Sequence, residues 1–210
     1  MARRPLSRRL LMAGLAGRAS TPVRAQQMDI TRATAFVDRA GQDLVNAIND
    51  PRLNQTQRRD KVASVLRYAI DIEGTGRFIL GRYVRQASPG ELQDYLKLFD
   101  EIIIRNLSAR FGEYRGVKFS LGRSQQRTEE DALVSTLIER PNSPSFTLDW
   151  RVAEINGQPK VVDVIAEGTS LRLTTRSEYA AVIQRNSGRV ASLLDAMRGQ
   201  IAQLAAREGG

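Results

Sequence analysis

The sequence predicts an α+β fold: N-terminal helices packed on a twisted antiparallel sheet and closed by a C-terminal helix. Three observations predict it. Apolar residues recur at helical spacing up to about residue 110, at a period of two from about 117, and at helical spacing again in the tail. At 210 residues with 41% hydrophobic and 26% charged residues, the chain is long enough for one domain with a real core.

The elements follow in order. From Ile30 to Ile48, Ala33, Phe36, Val37, Ala40, Leu44, Ala47 and Ile48 form one stripe, and Pro51 ends the helix. A second helix starts near Thr56 and carries Val62, Val65, Leu66 and Ala69 on one face. Gly74-Thr75-Gly76 weakens the case for continuing it, although Phe78, Ile79, Leu80 and Tyr83 seek a core. Ser88-Pro89-Gly90-Glu91 is a helix start, with Ser88 as cap, Pro89 at the first position and Glu91 returning to the cap amide. Leu92, Leu96, Phe99, Ile103 and Leu107 then line one face as far as Phe111-Gly112.

Strands come next. Val117, Phe119 and Leu121 alternate with polar neighbours, as do Val134, Thr136 and Ile138, and then Phe146, Leu148, Trp150 and Val152. Asn156-Gly157 predicts a hairpin to Val161–Ile165. A last strand is expected over Ser170–Thr175, presenting Leu171 and Leu173. Ser177 then caps a tail helix from Glu178 to about Arg207, with a possible break at Ser187-Gly188.

The charge is unevenly placed. Arg3, Arg4, Arg8, Arg9, Arg18 and Arg24 account for six of the nine net positive charges, which leaves +3 beyond residue 25 and weakens a nucleic-acid reading. Those arginines, the apolar run Leu10–Gly17 and the ending Val23-Arg24-Ala25 read as a cleavable export signal over residues 1–25, of twin-arginine type at Ser7-Arg8-Arg9-Leu10-Leu11-Met12. Cleavage after Ala25 leaves 26–210 as a single domain, soluble in the periplasm.

The sequence has no histidine and no cysteine, which removes Ser-His-Asp triads, cysteine nucleophiles and His-containing metal sites. Gly74-Thr75-Gly76 resembles part of a phosphate loop but lacks its lysine and later glycine, and Glu129-Glu130-Asp131 reads as a solvated turn. A carboxylate pair for glycoside hydrolysis would be remote in sequence and carries no local motif.

Taken in order, Phe78-Ile79-Leu80-Gly81-Arg82-Tyr83-Val84-Arg85, Phe111-Gly112-Glu113-Tyr114, Trp150-Arg151, Asn156-Gly157, Val162-Asp163-Val164, Glu167-Gly168-Thr169-Ser170, Thr175-Arg176 and Tyr179 resemble the pattern of the MlaC (toluene-tolerance, Ttg-type) family over roughly residues 60–200. That resemblance implies an NTF2-like α+β domain holding a phospholipid's acyl chains. It also implies a periplasmic shuttle between an outer-membrane lipoprotein complex and an inner-membrane ABC transporter with an MCE-domain ring. No cofactor, catalysis or nucleic-acid partner is implied. Val84 stands where the family often has Trp, and Pro159-Lys160 where it has an aromatic. A hopanoid-associated branch (HpnM) shares the pattern, so a hopanoid is the rival cargo.

On this reading the cavity walls are Phe78, Tyr83, Leu96, Phe99 and Ile103 from helices, with Val134, Ile138, Phe146, Leu148, Trp150 and Val164 from strands. For each, a place in a close-packed core is the alternative. Arg82 and Arg85 are candidates for a headgroup or partner contact, with solvated helix charges as the alternative, and Arg176 for an ion pair with Glu167 or Asp163. A protein-interaction module and an NTF2-like enzyme on a small apolar substrate are the two other functional classes.

Overall fold

The structure, a computed structural model, describes residues 28–208. The export signal read in residues 1–25 lies outside the described residues. Helix α1 (Ile30–Asn49) begins where the Asp29 carboxylate accepts the Thr31 amide at 2.8 Å, and ends ahead of Pro51. It buries Ala33, Phe36, Val37, Ala47 and Ile48. Helix α2 (Gln55–Ala69) starts at an Asn54/Gln57 capping box.

The chain breaks after α2 at Ile70-Asp71, not at the glycines. Asp71 caps α3 (Ile72–Leu80) by accepting the Gly74 amide at 3.1 Å, so Gly74-Thr75-Gly76 is helical. A local cap outweighs two helix-weakening glycines here. Gly76 also marks a close approach of α3 to the following helix, since a Cβ there would lie 2.9 Å from Leu96 Cδ2 and 3.1 Å from Phe99 Cδ1. A turn of 3-10 helix (Gly81–Arg85) leads to α4 (Pro89–Ser108), whose Ser88/Glu91 capping box is present. On α4 the most buried large side chains are Tyr95, Phe99, Ile102 and Ile104, rotated from the expected stripe because the helix packs on two sides. A short α5 (Phe111–Tyr114) precedes the sheet.

Strands β1 (Lys118–Gln126), β2 (Asp131–Arg140), β3 (Ser143–Ile155), β4 (Gln158–Ala166) and β5 (Thr169–Ser170) form an antiparallel meander in sequence order. At the β3–β4 turn Asn156 (φ 51°) and Gly157 (φ 76°) both have positive φ, which matches the twist of the flanking strands. Ala132, Val134, Thr136 and Ile138 of β2 lie beside Val152, Trp150, Leu148 and Phe146 of β3. α1 and α2 cover this face. Leu121, by contrast, is exposed next to an irregularity in β1.

The expected strand over Ser170–Thr175 is mostly helix. β5 stops at Ser170, whose hydroxyl accepts the Leu173 amide at 3.1 Å and caps α6 (Leu171–Arg185). Leu171 and Leu173 therefore sit in a first helical turn and are exposed, and Ser177 is internal to α6. The marked break is real: Ser187 (φ 59°) and Gly188 (φ 77°) separate α6 from α7 (Val190–Glu208).

The apolar interior is divided. One cluster is entirely helical, drawn from α3, the 3-10 turn, α4, α6 and α7 around Tyr95, Ile183 and Leu193. Two others join α1 and α2 to the sheet, around Val134 and Val152 and around Ile138 and Val62.

Candidate functional site

Strand β4 is where the helical unit and the sheet unit meet. Between Arg151 and Val152 its pairing with β3 shifts register, and the three successive residues Val161, Val162 and Asp163 are all buried there. α3 approaches from one side: the Thr75 hydroxyl donates to the Val162 carbonyl at 3.4 Å, and the Asp71 amide donates to the Val161 carbonyl at 3.0 Å. α6 approaches from the other, through Ser170, whose hydroxyl donates to Asp163 Oδ2 at 2.6 Å.

A cleft of about 390 Å³ lies along this seam. Its buried lining is Thr75, Ile79, Phe99, Ile102, Val161, Val162, Asp163 and Tyr179. Ile70, Ile103 and Val164 extend the apolar wall, while Asn106, Leu171, Glu178 and Gln200 stand at more exposed positions. This is a ligand-sized hollow, mostly apolar inside, with the Thr75 hydroxyl and the Asp163 carboxylate buried in its wall.

Phe99, Ile103 and Val164, of the residues picked from sequence, line the cleft. Tyr83 is buried in the helical cluster, with Phe78 and Leu96 packed against it. Val134 and Trp150 belong to one sheet cluster, and Ile138, Phe146 and Leu148 to the other. Trp150 is adjacent to the cleft through its register partner Val164. Arg82 and Arg85 are exposed; Arg82 lies over the Tyr83 ring, 5.0 Å from its centroid, and donates to the Tyr83 hydroxyl at 2.9 Å. Arg176 does not pair with Glu167 or Asp163: it donates to the Phe78 carbonyl at 3.2 Å and lies over the Phe78 ring.

Sequence reading missed Ile70, Thr75, Ile79, Ile102, Val161, Val162, Leu171, Arg172, Thr175 and Tyr179. Ile79, Val162, Thr175 and Tyr179 had a signal, as parts of the family pattern. Arg172 had none, because its setting depends on α6 packing against Phe78. Its guanidinium carbon lies 3.9 Å from the Phe78 ring centroid, and burial, followed by the nearby Arg151 charge, pulls it below its ordinary value. Burial pushes the Tyr179 phenol up to about 12 and Tyr95 higher still. Among the described residues no cluster of three or more His, Cys, Asp or Glu is placed to hold a metal, and no helix is long and apolar enough to cross a membrane.

Comparison with known proteins agrees with this architecture. The family model described as MlaC protein matches residues 38–199. The toluene tolerance protein ttg2D of Pseudomonas putida is 21% identical over 145 residues, which is 69% of this chain and 67% of that protein. The phospholipid-binding protein of Ralstonia solanacearum, solved in complex with a phospholipid, superposes with a TM-score of 0.73 at 26% identity, covering 82% of this chain and 98% of that one.

Proposed function

The chain belongs to the MlaC family, and from that premise we propose that it is a soluble periplasmic lipid carrier that holds a phospholipid's acyl chains in the β4 cleft. The observation that carries this reading is the placement of an apolar cleft at a seam between separately packed clusters. Such a seam can widen around a ligand while each cluster keeps its own contacts. The structural similarity to a protein solved with a phospholipid supports the cargo class.

Energetics suit the role. Burying a methylene contributes about 0.8 kcal/mol, so two acyl chains carry on the order of 20 kcal/mol of hydrophobic free energy. A cavity approaching the membrane's burial makes extraction nearly neutral, and docking partners then set the direction. The carrier itself needs neither catalysis nor a nucleotide. The partners are an outer-membrane lipoprotein complex and an inner-membrane MCE-domain/ABC transporter complex, and residues 1–25 are the export signal that delivers the chain to them.

Native mass spectrometry of the protein recovered from a periplasm, with lipid analysis of the extract, tests this. The expected result is a one-to-one phospholipid adduct. A hopanoid mass would replace the cargo, and a bare protein mass unchanged by phospholipid vesicles would overturn the carrier reading.

A further inference from the structure

We infer that Arg172 is a phosphate-recognition site at the margin of the β4 cleft, and that it selects a lipid bearing a phosphate over a neutral lipid with the same chains. This rests on the carrier reading above and adds a headgroup preference to it.

Arg172 lines the cleft, and its side chain is only 14% exposed. Its guanidinium makes no hydrogen bond among the described residues, and its Nε is fully buried without a partner. The nearest carboxylate does not satisfy it. Asp163 Oδ2 stands 3.9 Å from Nε, outside hydrogen-bond range, and already accepts the Ser170 hydroxyl at 2.6 Å. Asp163 Oδ1 accepts the Arg172 main-chain amide at 3.1 Å. Asp163 thus anchors the start of α6 and leaves the guanidinium donors free.

The group is also held in place. It lies on the Phe78 ring at 3.9 Å, and the Phe78 carbonyl is in turn tied to Arg176 at 3.2 Å. Arg176 itself lies 4.7 Å from the same ring centroid and adds a second positive charge. A largely buried cation with unused donors, fixed beside a mostly apolar cleft, is suited to an oxyanion that accepts two parallel N–H bonds while apolar chains fill the cleft. A phosphate diester attached to acyl chains has both parts. A neutral polycyclic hydrocarbon has only the second.

The test compares dioctanoylphosphatidylglycerol and dioctanoylphosphatidic acid with dioctanoylglycerol, which share chains and differ in the phosphoglycerol headgroup or the phosphate alone, by calorimetry on the lipid-free chain of residues 26–210. Wild type is expected to prefer either phospholipid by about tenfold or more. Arg172→Gln is expected to lose that preference while binding dioctanoylglycerol as wild type does. Arg172→Lys keeps the charge without the fork, so it should fall between and guard against misfolding of the first variant. Arg39→Gln, on exposed α1 surface, should behave as wild type.

A preference kept in full by both Arg172 variants would overturn the inference while leaving the carrier reading intact. Binding of none of these lipids by wild type would overturn both. Inorganic phosphate binding as tightly as the phospholipids, lost in Arg172→Gln, would make this a free-phosphate site and overturn the headgroup assignment.

Discussion

The Trp150 indole N–H donates to Thr136 Oγ1 at 2.8 Å, joining β3 to β2 on the face that α1 covers. Thr136 is 1% exposed and passes its own hydroxyl proton to the Leu148 carbonyl at 3.2 Å, so the indole supplies that oxygen's remaining partner. The only tryptophan in the sequence is therefore held by the sheet, directly opposite the cleft residue Val164 on β4.

Trp150→Phe keeps most of the ring but leaves the Thr136 oxygen short of a donor, and should cost about 1 kcal/mol. Trp150→Ala should cost about 3 kcal/mol, because it also empties the space beside Val134 and Val152. Urea unfolding followed by circular dichroism checks both, as a shifted midpoint at constant slope. Equal midpoints for Trp150→Phe and wild type would show that the hydrogen bond adds nothing.

Gly41 on α1 lies directly under the Phe119 ring, with Cζ, Cε2 and Cε1 all within 2.8 Å of where a Cβ would stand. Ring atoms cannot swing aside as a flexible side-chain end can. Gly41→Ala gains up to about 1 kcal/mol of helix propensity but incurs overpacking of about 1–3 kcal/mol, for a net loss of about 1 kcal/mol. Adding Phe119→Leu should recover part of that loss in a double-mutant cycle. Additive effects would mean that α1 and β1 do not meet through this pair.

Much of this was legible in the chain because the signals are local. The Ser88/Glu91 capping box and the Asn156-Gly157 turn depend on neighbours within a few residues, and both are present. Ser170–Thr175 went the other way because Leu171 and Leu173 alternate like a strand while the deciding feature, the Ser170 cap, is one hydroxyl. The cleft was harder. Alternation along β2 and β3 identifies the sheet's apolar face, but two helices cover that face, and the hollow opens instead at β4, where a register shift and the approach of α3 and α6 are long-range facts.

The pH response has a direction. No histidine or cysteine titrates in this chain, so stability should change little between about pH 6 and 9. Burial raises Tyr179 to about 12 and raises Tyr95 as well, so both phenols favour the folded state while protonated. That contribution is complete below the unfolded value near 10. It is lost as pH rises, when the unfolded phenols ionise first, and for Tyr179 is exhausted near 12. The Tyr179 share is roughly 2–3 kcal/mol. Midpoints measured from pH 6 to 11 should be flat and then fall, and Tyr179→Phe should soften the fall. An equally steep fall in Tyr179→Phe would assign the alkaline loss to other groups.

Cleft and core should separate under mutation. Ile103 is half-buried on the cleft wall, next to the helical cluster rather than inside it, so its outward side borders empty space. Ile103→Trp places a large ring in that space. It should lower lipid occupancy tenfold or more while shifting stability by less than about 1 kcal/mol, since no buried neighbour has to move. Leu80 is 2% exposed in the helical cluster and does not line the cleft. Leu80→Ala should do the reverse: lose about 2–5 kcal/mol yet bind lipid with unchanged stoichiometry wherever it is folded. Occupancy by native mass spectrometry, set against urea midpoints for both variants, gives the comparison. If Ile103→Trp kept full occupancy, the acyl chains would have to lie elsewhere, and the seam along β4 would be packing space only.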